Sequence, residues 1–351
     1  MIRKALVMIT LSLGLGGCAS AAYYAQAVAG QWQVLRDRQD LATLIASPDT
    51  GPRLKQRLQA VLEARDWVVQ ALDLPDNGSY RRYVDLHRDY VVWNVYATPE
   101  LSLSPLQHCF PVAGCVAYQG WYQEPAARAQ ARALAAQGYD VALGGVPAYS
   151  TLGWFDDPLM SPMLRWDDAT LIETLIHELA HQKLYVPGDT AFNESFAEFV
   201  GQEGLRQYRR LHPDLPGNAS LERRRREFTQ RVLARRAQLA TLYASALSEP
   251  LQRVLKAETL QGLQRDYQQL REGDWQGQGP YDAWFAEAPL NNARLLPFGL
   301  YDAGVPAFAA LYAQSGGEWP RFYARAAQLA RLPAAQRAQA LRQLAAGAGL
   351  P

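Results

Sequence analysis

Cysteine is nearly missing from this chain: 351 residues hold three, with four methionines and five histidines. That scarcity rules out a disulfide-dense scaffold, because three thiols close at most one bridge within the chain. An excess of charge is also missing. Against 35 basic residues stand 34 acidic ones, a formal net charge of +1, so there is no field to attract nucleic acid. Internal repeats and low-complexity linkers are absent too. The length then suits one large domain or two modest ones.

The first twenty residues, MIRKALVMITLSLGLGGCAS, start with a basic pair, Arg3 and Lys4, followed by an apolar run from Leu6 to Leu15. That run is too short to span a bilayer comfortably and reads as a signal peptide over 1–17. Leu15-Gly16-Gly17-Cys18 resembles a bacterial lipobox, in which cleavage precedes a cysteine that receives lipid. On this reading the mature chain is 18–351 and is held to a membrane through Cys18. Ala19 stands where an aspartate would favour the inner membrane, so the expected anchor is the outer membrane, facing the periplasm. The alternative is an ordinary secretory signal with an incidental cysteine. In an oxidising compartment Cys109 and Cys115, six apart around Pro111 and Gly114, are expected to pair; two buried thiols are the alternative. His108 beside them reads as a loop residue.

Apolar spacing predicts helices over 22–45 and 53–73. DNGSY (76–80) reads as a turn, YVVWNVYATP (90–99) and CVAYQGWY (115–122) as strands, and PAARAQARALAAQG (125–138) as a helix with a glycine stop. YDVALGGVPAYSTLG (139–153) reads as a strand interrupted at Gly144-Gly145. From 204 onward the pattern is helical, longest over 221–247, and the arginines at 223–226 read as a solvated helix face. The class is α+β with a helix-rich C-terminal half. Residues 204–351 are open to reading as a helical sub-domain.

Chemistry concentrates in HELAHQKLYVPGDTAFNESFAEF (177–199). ATLIETLIHELAHQKLYV (169–186) is an amphipathic helix, with Thr170 and Glu173 in the spacing of a capping box. His177 and His181, one turn apart, project from one face and can reach one metal ion. Glu178 lies beside them, placed to polarise water without being a ligand; this is the H-E-x-x-H arrangement of zinc proteases. After a turn at Pro187-Gly188-Asp189, a second helix begins with Asp189 or Thr190 as its cap. If the reversal is tight, Glu194 faces the histidine pair as a third ligand; otherwise it is a surface carboxylate near a helix N-terminus.

Asn193-Glu194-x-Phe196-Ala197 resembles the N-E-x-F-A element of gluzincins of the aminopeptidase N type, in which the glutamate is the third zinc ligand. With the lipobox, CFPVAGC and GGVPAYSTLG, the chain resembles a family of bacterial proteins known as putative aminopeptidases. The likeness implies a zincin-like fold over 18–351, with a small mixed sheet whose edge strand lies over the motif helix. It also implies Zn2+ as cofactor and a peptide as substrate. By the same likeness Glu198 would orient a ligand histidine, with Glu173 as its rival.

Twelve residues between His181 and Glu194 are fewer than in aminopeptidase N and require a tight hairpin. The stretch Gly144–Ala148 lacks the acid that binds a substrate's amine there, although Asp156 or Asp157 lies just beyond. Peptide hydrolysis further needs a ledge and an oxyanion donor. VPAYSTLG, with Ala148, Tyr149 and Ser150, is the expected edge-strand ledge, and Asn291 and Asn292 are candidates for holding the substrate backbone. Tyr301 is the expected donor, ahead of Tyr281 and Tyr149; His212 reads as a loop residue. Two other functions stay open: an endopeptidase on the same site, and a non-catalytic envelope lipoprotein whose zinc-stabilised fold binds a partner.

Overall fold

A computed structural model describes residues 21–110, 114–215 and 219–347; Cys18 and the segment 1–17 lie outside them. The N-terminal half alternates short strands and helices. In chain order these are α1 (21–36), β1 (Gln39–Asp40), α2 (Leu41–Ala46), α3 (Pro52–Leu72), β2 (Arg82–Val84) and β3 (Val92–Pro99). Then come β4 (His108–Phe110), β5 (Gly114–Val116), β6 (Tyr118–Trp121), α4 (Glu124–Ala136), β7 (Tyr139–Val146) and β8 (Leu159–Met160). The rest is helical: α5 (Asp168–Lys183), α6 (Thr190–Leu211), α7 (Ala219–Tyr243), α8 (Glu249–Glu272) and α9 (Asp282–Glu287), then α10 (Leu296–Tyr301), α11 (Val305–Gln314), α12 (Trp319–Ala330) and α13 (Ala334–Gly347).

The predicted 22–45 helix is two helices. Asp40 caps the second, its carboxylate accepting from Thr43 N at 2.8 Å, which starts a new helix where the first has stopped. A β-branched, aromatic run makes β3 the centre of an antiparallel sheet ordered β6-β3-β7. Its side chains alternate. Val95 and Ala97 pack under α4 with Ala127 and Leu134, and Tyr96 packs on the other face with Ala293, Leu296 and Leu300. A second sheet, β1-β2-β8, is the mixed one, antiparallel then parallel. The expected single mixed sheet is therefore three small sheets, the third being the β4–β5 hairpin. In that hairpin Cys109 and Cys115 face each other and are bridged.

The predicted ledge is also corrected. Strand β7 runs through Gly144 and Gly145 but ends at Val146, and 147–153 leave the sheet. Pro147 has no N–H to continue a ladder, and Thr151 turns its N–H and hydroxyl to Asp157. Strand β7 itself is the edge of its sheet.

The main core joins α3, α5, α6, α11 and α12; at its centre Phe308 meets Phe192 and Phe196 edge-on, and Phe196 stacks on Phe322. Helices α7 and α8 close a separate aromatic cluster around Phe228, Tyr267 and Trp275. Helix α6 lies close to α5 because Gly201 and Gly204 face it: a Cβ on Gly204 would come within 2.7 Å of Leu72 Cδ1 and 3.0 Å of Ile176 Cδ1. The bridged hairpin seats on the α5–α6 connection in the same way. Gly114 has φ +72°, and a Cβ there would lie 2.6 Å from Gly188 N. Gly114→Ala therefore meets both backbone strain and a main-chain clash. It should cost about 1–3 kcal/mol, read as a lowered Tm; an unchanged Tm would show that the hairpin is not seated on the connection.

Candidate metal centre

Helix α5 starts one turn before its predicted capping box. Asp167 is the cap, accepting from Thr170 N at 2.8 Å, so Thr170 and Glu173 do not form one. Leu171, Ile172, Leu175, Ile176 and Leu179 bury one side of the helix in the main core. His177, Glu178 and His181 are each no more than 9% exposed. The helix ends at Lys183, where Leu184 turns extended.

Six residues, 184–189, connect α5 to α6. Gly188 supplies a left-handed turn at φ +82°, and Asp189 caps α6 by accepting from Phe192 N at 3.1 Å. The buried Arg337 of α13 fixes that cap, with Nη2 2.6 Å from Asp189 Oδ2. The closest tie is Asn193. Val186 N donates to its Oδ1 at 2.8 Å, and its Nδ2 donates to Val186 O at 2.9 Å. Held at both groups, the connection is the tight hairpin that the spacing demanded, and Glu194 turns toward α5.

The result is a nearly equilateral triangle of donor atoms. His177 Nε2 lies 3.2 Å from His181 Nε2, and Glu194 Oε2 lies 3.4 Å and 3.5 Å from them. Behind it, Glu198 Oε2 sits 3.4 Å from His177 Nδ1. That fixes which nitrogen of His177 faces forward. Glu173 makes no such contact among the described residues: its carboxyl is raised to about 7 by burial and by Glu198, and Glu198 is the one beside His177 Nδ1. His181 Nδ1 is buried without a partner among the described residues.

Electrostatics favour a cation. Burial disfavours charge on Glu194, yet the two histidines hold its carboxyl down to about 2. Burial likewise disfavours a charged His177, but Glu194 and Glu198 on its two sides push its pKa well up. Burial raises the Glu178 carboxyl against the pull of both histidines, the opposite direction to Glu194 and Glu198. Three carboxylates around two imidazoles call for positive charge.

Tyr301 reaches the site, its ring stacked on that of His177 at 6.0 Å. Its hydroxyl is kept protonated by burial and by Glu194. Two tyrosines that sequence reasoning missed share this neighbourhood, Tyr118 and Tyr80; burial and then a site glutamate raise each. Tyr80 is buried, stands at φ +60° and has no hydroxyl partner among the described residues.

Other expected site residues are elsewhere or occupied. Tyr281 packs 3.9 Å from Phe228 in the α7–α8 cluster, and His212 stacks on Tyr208. The Tyr149 hydroxyl bonds Tyr122 and Gln31. Ala148 is buried, and the Ser150 hydroxyl accepts from Leu152 N, so none of the three forms an edge-strand ledge. Asp156 accepts from Gly78 N and Asp157 from Thr151 and Gln182.

The side chains of Asn291 and Asn292, expected at the substrate backbone, are engaged within the fold. Asn291 Nδ2 donates to Val141 O, covering part of the β7 edge. Asn292 is fully buried; its Nδ2 donates to the Glu100 and Ser102 carbonyls, and its Oδ1 accepts from Tyr243. Asn292→Ala strands these groups and should cost roughly 2–4 kcal/mol in denaturant unfolding. A stable variant with an altered KM would instead restore the substrate role.

No curated protein and no solved structure matches this chain. The family model described as "Putative aminopeptidase" matches residues 22–341, nearly the whole length, and the chain belongs to that family.

Proposed function

We propose that this protein is a zinc-dependent peptidase with His177, His181 and Glu194 as the metal ligands and Glu178 as the base. The donor triangle carries the reading. Ligand atoms ~2.1 Å from a tetrahedral zinc stand about 3.4 Å apart, and the three edges here are 3.2, 3.4 and 3.5 Å. Two imidazole nitrogens and one carboxylate oxygen are also the donor set of a catalytic zinc site, which keeps a position open. Membership of the family supports peptidase activity.

Zinc bound there supplies Lewis acidity to the scissile carbonyl and to the attacking water. The chain's own groups do the rest. Glu178 accepts the water's proton and passes it to the leaving amine, a task suited to a carboxyl whose pKa burial has raised. Tyr301, held neutral, donates its hydroxyl proton in a hydrogen bond to the oxyanion as charge develops. Glu198 keeps the His177 ring aligned through Nδ1. The family description favours release of N-terminal residues. With Asp156 and Asp157 both engaged by the fold, an endopeptidase on the same site is the competing specificity. Cleavage of free but not N-acetylated peptides would decide for the aminopeptidase.

Glu178→Gln is expected to keep one zinc per chain and lose about 10²–10⁴-fold in kcat; undiminished turnover would remove Glu178 from the mechanism. Glu198→Ala should weaken zinc binding by roughly 10–100-fold while Glu173→Gln leaves it unchanged, measured by competition with a chromophoric chelator. Equal effects from both variants would contradict the role given to Glu198.

A further inference from the structure

The N-terminal helix presents an apolar face that no described residue covers. One side of α1 is docked firmly. The Tyr23 ring packs against Phe110 and Trp121. Gln26 accepts from Tyr122 N and Gln31 from the Tyr122 hydroxyl. A Cβ on Gly30 would collide with the Tyr122 ring at 2.1 Å, and Val34 is buried. The opposite side holds Tyr24, Val28 and Trp32, one turn apart and 43%, 69% and 66% exposed. Ala25 and Ala29 are exposed among them. From 21 to 35 the sequence has no charged residue at all; Arg36 is the first, and it is paired with Asp37. Solvated helix faces are ordinarily charged. This one is not.

Ala21, the first residue of α1, stands three positions after Cys18, a reach of at most about 10 Å. We infer that α1 lies along the lipid bilayer, with Tyr24, Val28 and Trp32 seated in the interfacial region beside the acyl chains on Cys18. The inference rests on the lipobox reading of Cys18 and is independent of the peptidase assignment. Tyrosine and tryptophan suit that depth, apolar over most of the ring and polar at one tip. A second exposed pair, Trp154 and Phe155, stands at the far end of the helix, where Arg38 donates to the Asp156 carbonyl at 2.8 Å. The most apolar helical run, Ala293–Gln314, is not a competitor for the membrane. It breaks between α10 and α11 and buries Leu296, Leu300, Phe308 and Leu311 inside the protein. Without charge on the face, binding is set by apolar area and not by anionic lipid.

The test uses the mature chain 18–351 carrying Cys18→Ser, so that no acyl chain is present and any remaining affinity belongs to the helix. This chain should float with phosphatidylcholine vesicles, little changed by added phosphatidylglycerol or by salt. Bromine-labelled acyl chains should quench its tryptophan emission. Replacing Tyr24, Val28 and Trp32 together by glutamine should weaken partitioning about tenfold or more, with Tm and zinc content as controls for the fold. If the triple variant fails to fold, Trp32→Gln alone should remove most of the bromine quenching. Failure to float, or flotation unaltered by these variants, overturns the inference. So does a dimer that the triple variant dissociates while neither chain floats, which would assign the face to a second copy. The mass of the chain recovered from membranes reports separately on acylation at Cys18.

Discussion

The Asn193 side chain holds Val186 by both its N–H and its C=O, and the rest of the site depends on that pair of hydrogen bonds. Two helices can run antiparallel with many registers. A six-residue connection pinned at its midpoint permits one, and in that register the residue after Asn193 faces two histidines one turn apart. The polarity of this device matters. A connection between buried helices has backbone groups that must find partners, and an amide side chain offers one donor and one acceptor in a single plane. No aliphatic or carboxylate side chain at 193 meets both needs.

Around that hinge the molecule is built to resist relaxation. Arg337, the buried arginine of α13, reaches the Asp189 cap from almost 150 residues away. The bridged β4–β5 hairpin touches Gly188 from the other side through Gly114. Helix α6 can approach α5 because Gly201 and Gly204 remove side chains from the seam, while Phe192 and Phe196 anchor its buried face in the aromatic core. A metal site gains from such support, since ligands held in place before binding lose little freedom when the ion arrives. The C-terminal helices contribute more than bulk: the segment through Ala293, Leu296 and Leu300 covers the face of the β3 sheet opposite α4 and delivers Tyr301 to the ring of His177.

How far the site can be read before folding depends on the range of the contacts. His177, Glu178, His181 and Glu194 are legible because helix geometry fixes i, i+4 neighbours and a short connection fixes which helices meet. The separation of the two helices in 22–45 was not, because it turns on one cap, Asp40. The stretch 147–153 departs from the strand its pattern predicts for a long-range reason. The strand pattern persists past Pro147, but Asp157 and Tyr122 draw Thr151 and Tyr149 off the sheet. Asn291 and Asn292 show the same limit. An amide pair reads equally well as substrate contact or as scaffold, and its partners, Val141 and Glu100, lie 150 and 192 residues away. Tyr80 was invisible as a site residue because only packing brings a turn tyrosine beside Glu178.

The central claim is that a single zinc ion sits on a triangle drawn by two histidines and one glutamate. X-ray absorption on the purified, zinc-loaded chain tests it most directly. The account predicts one zinc per chain, with two imidazole nitrogens and only oxygen besides, at about 2.0–2.2 Å, and loss of one imidazole from the shell in His181→Ala. A shell containing sulfur, or one unchanged by that substitution, would contradict it.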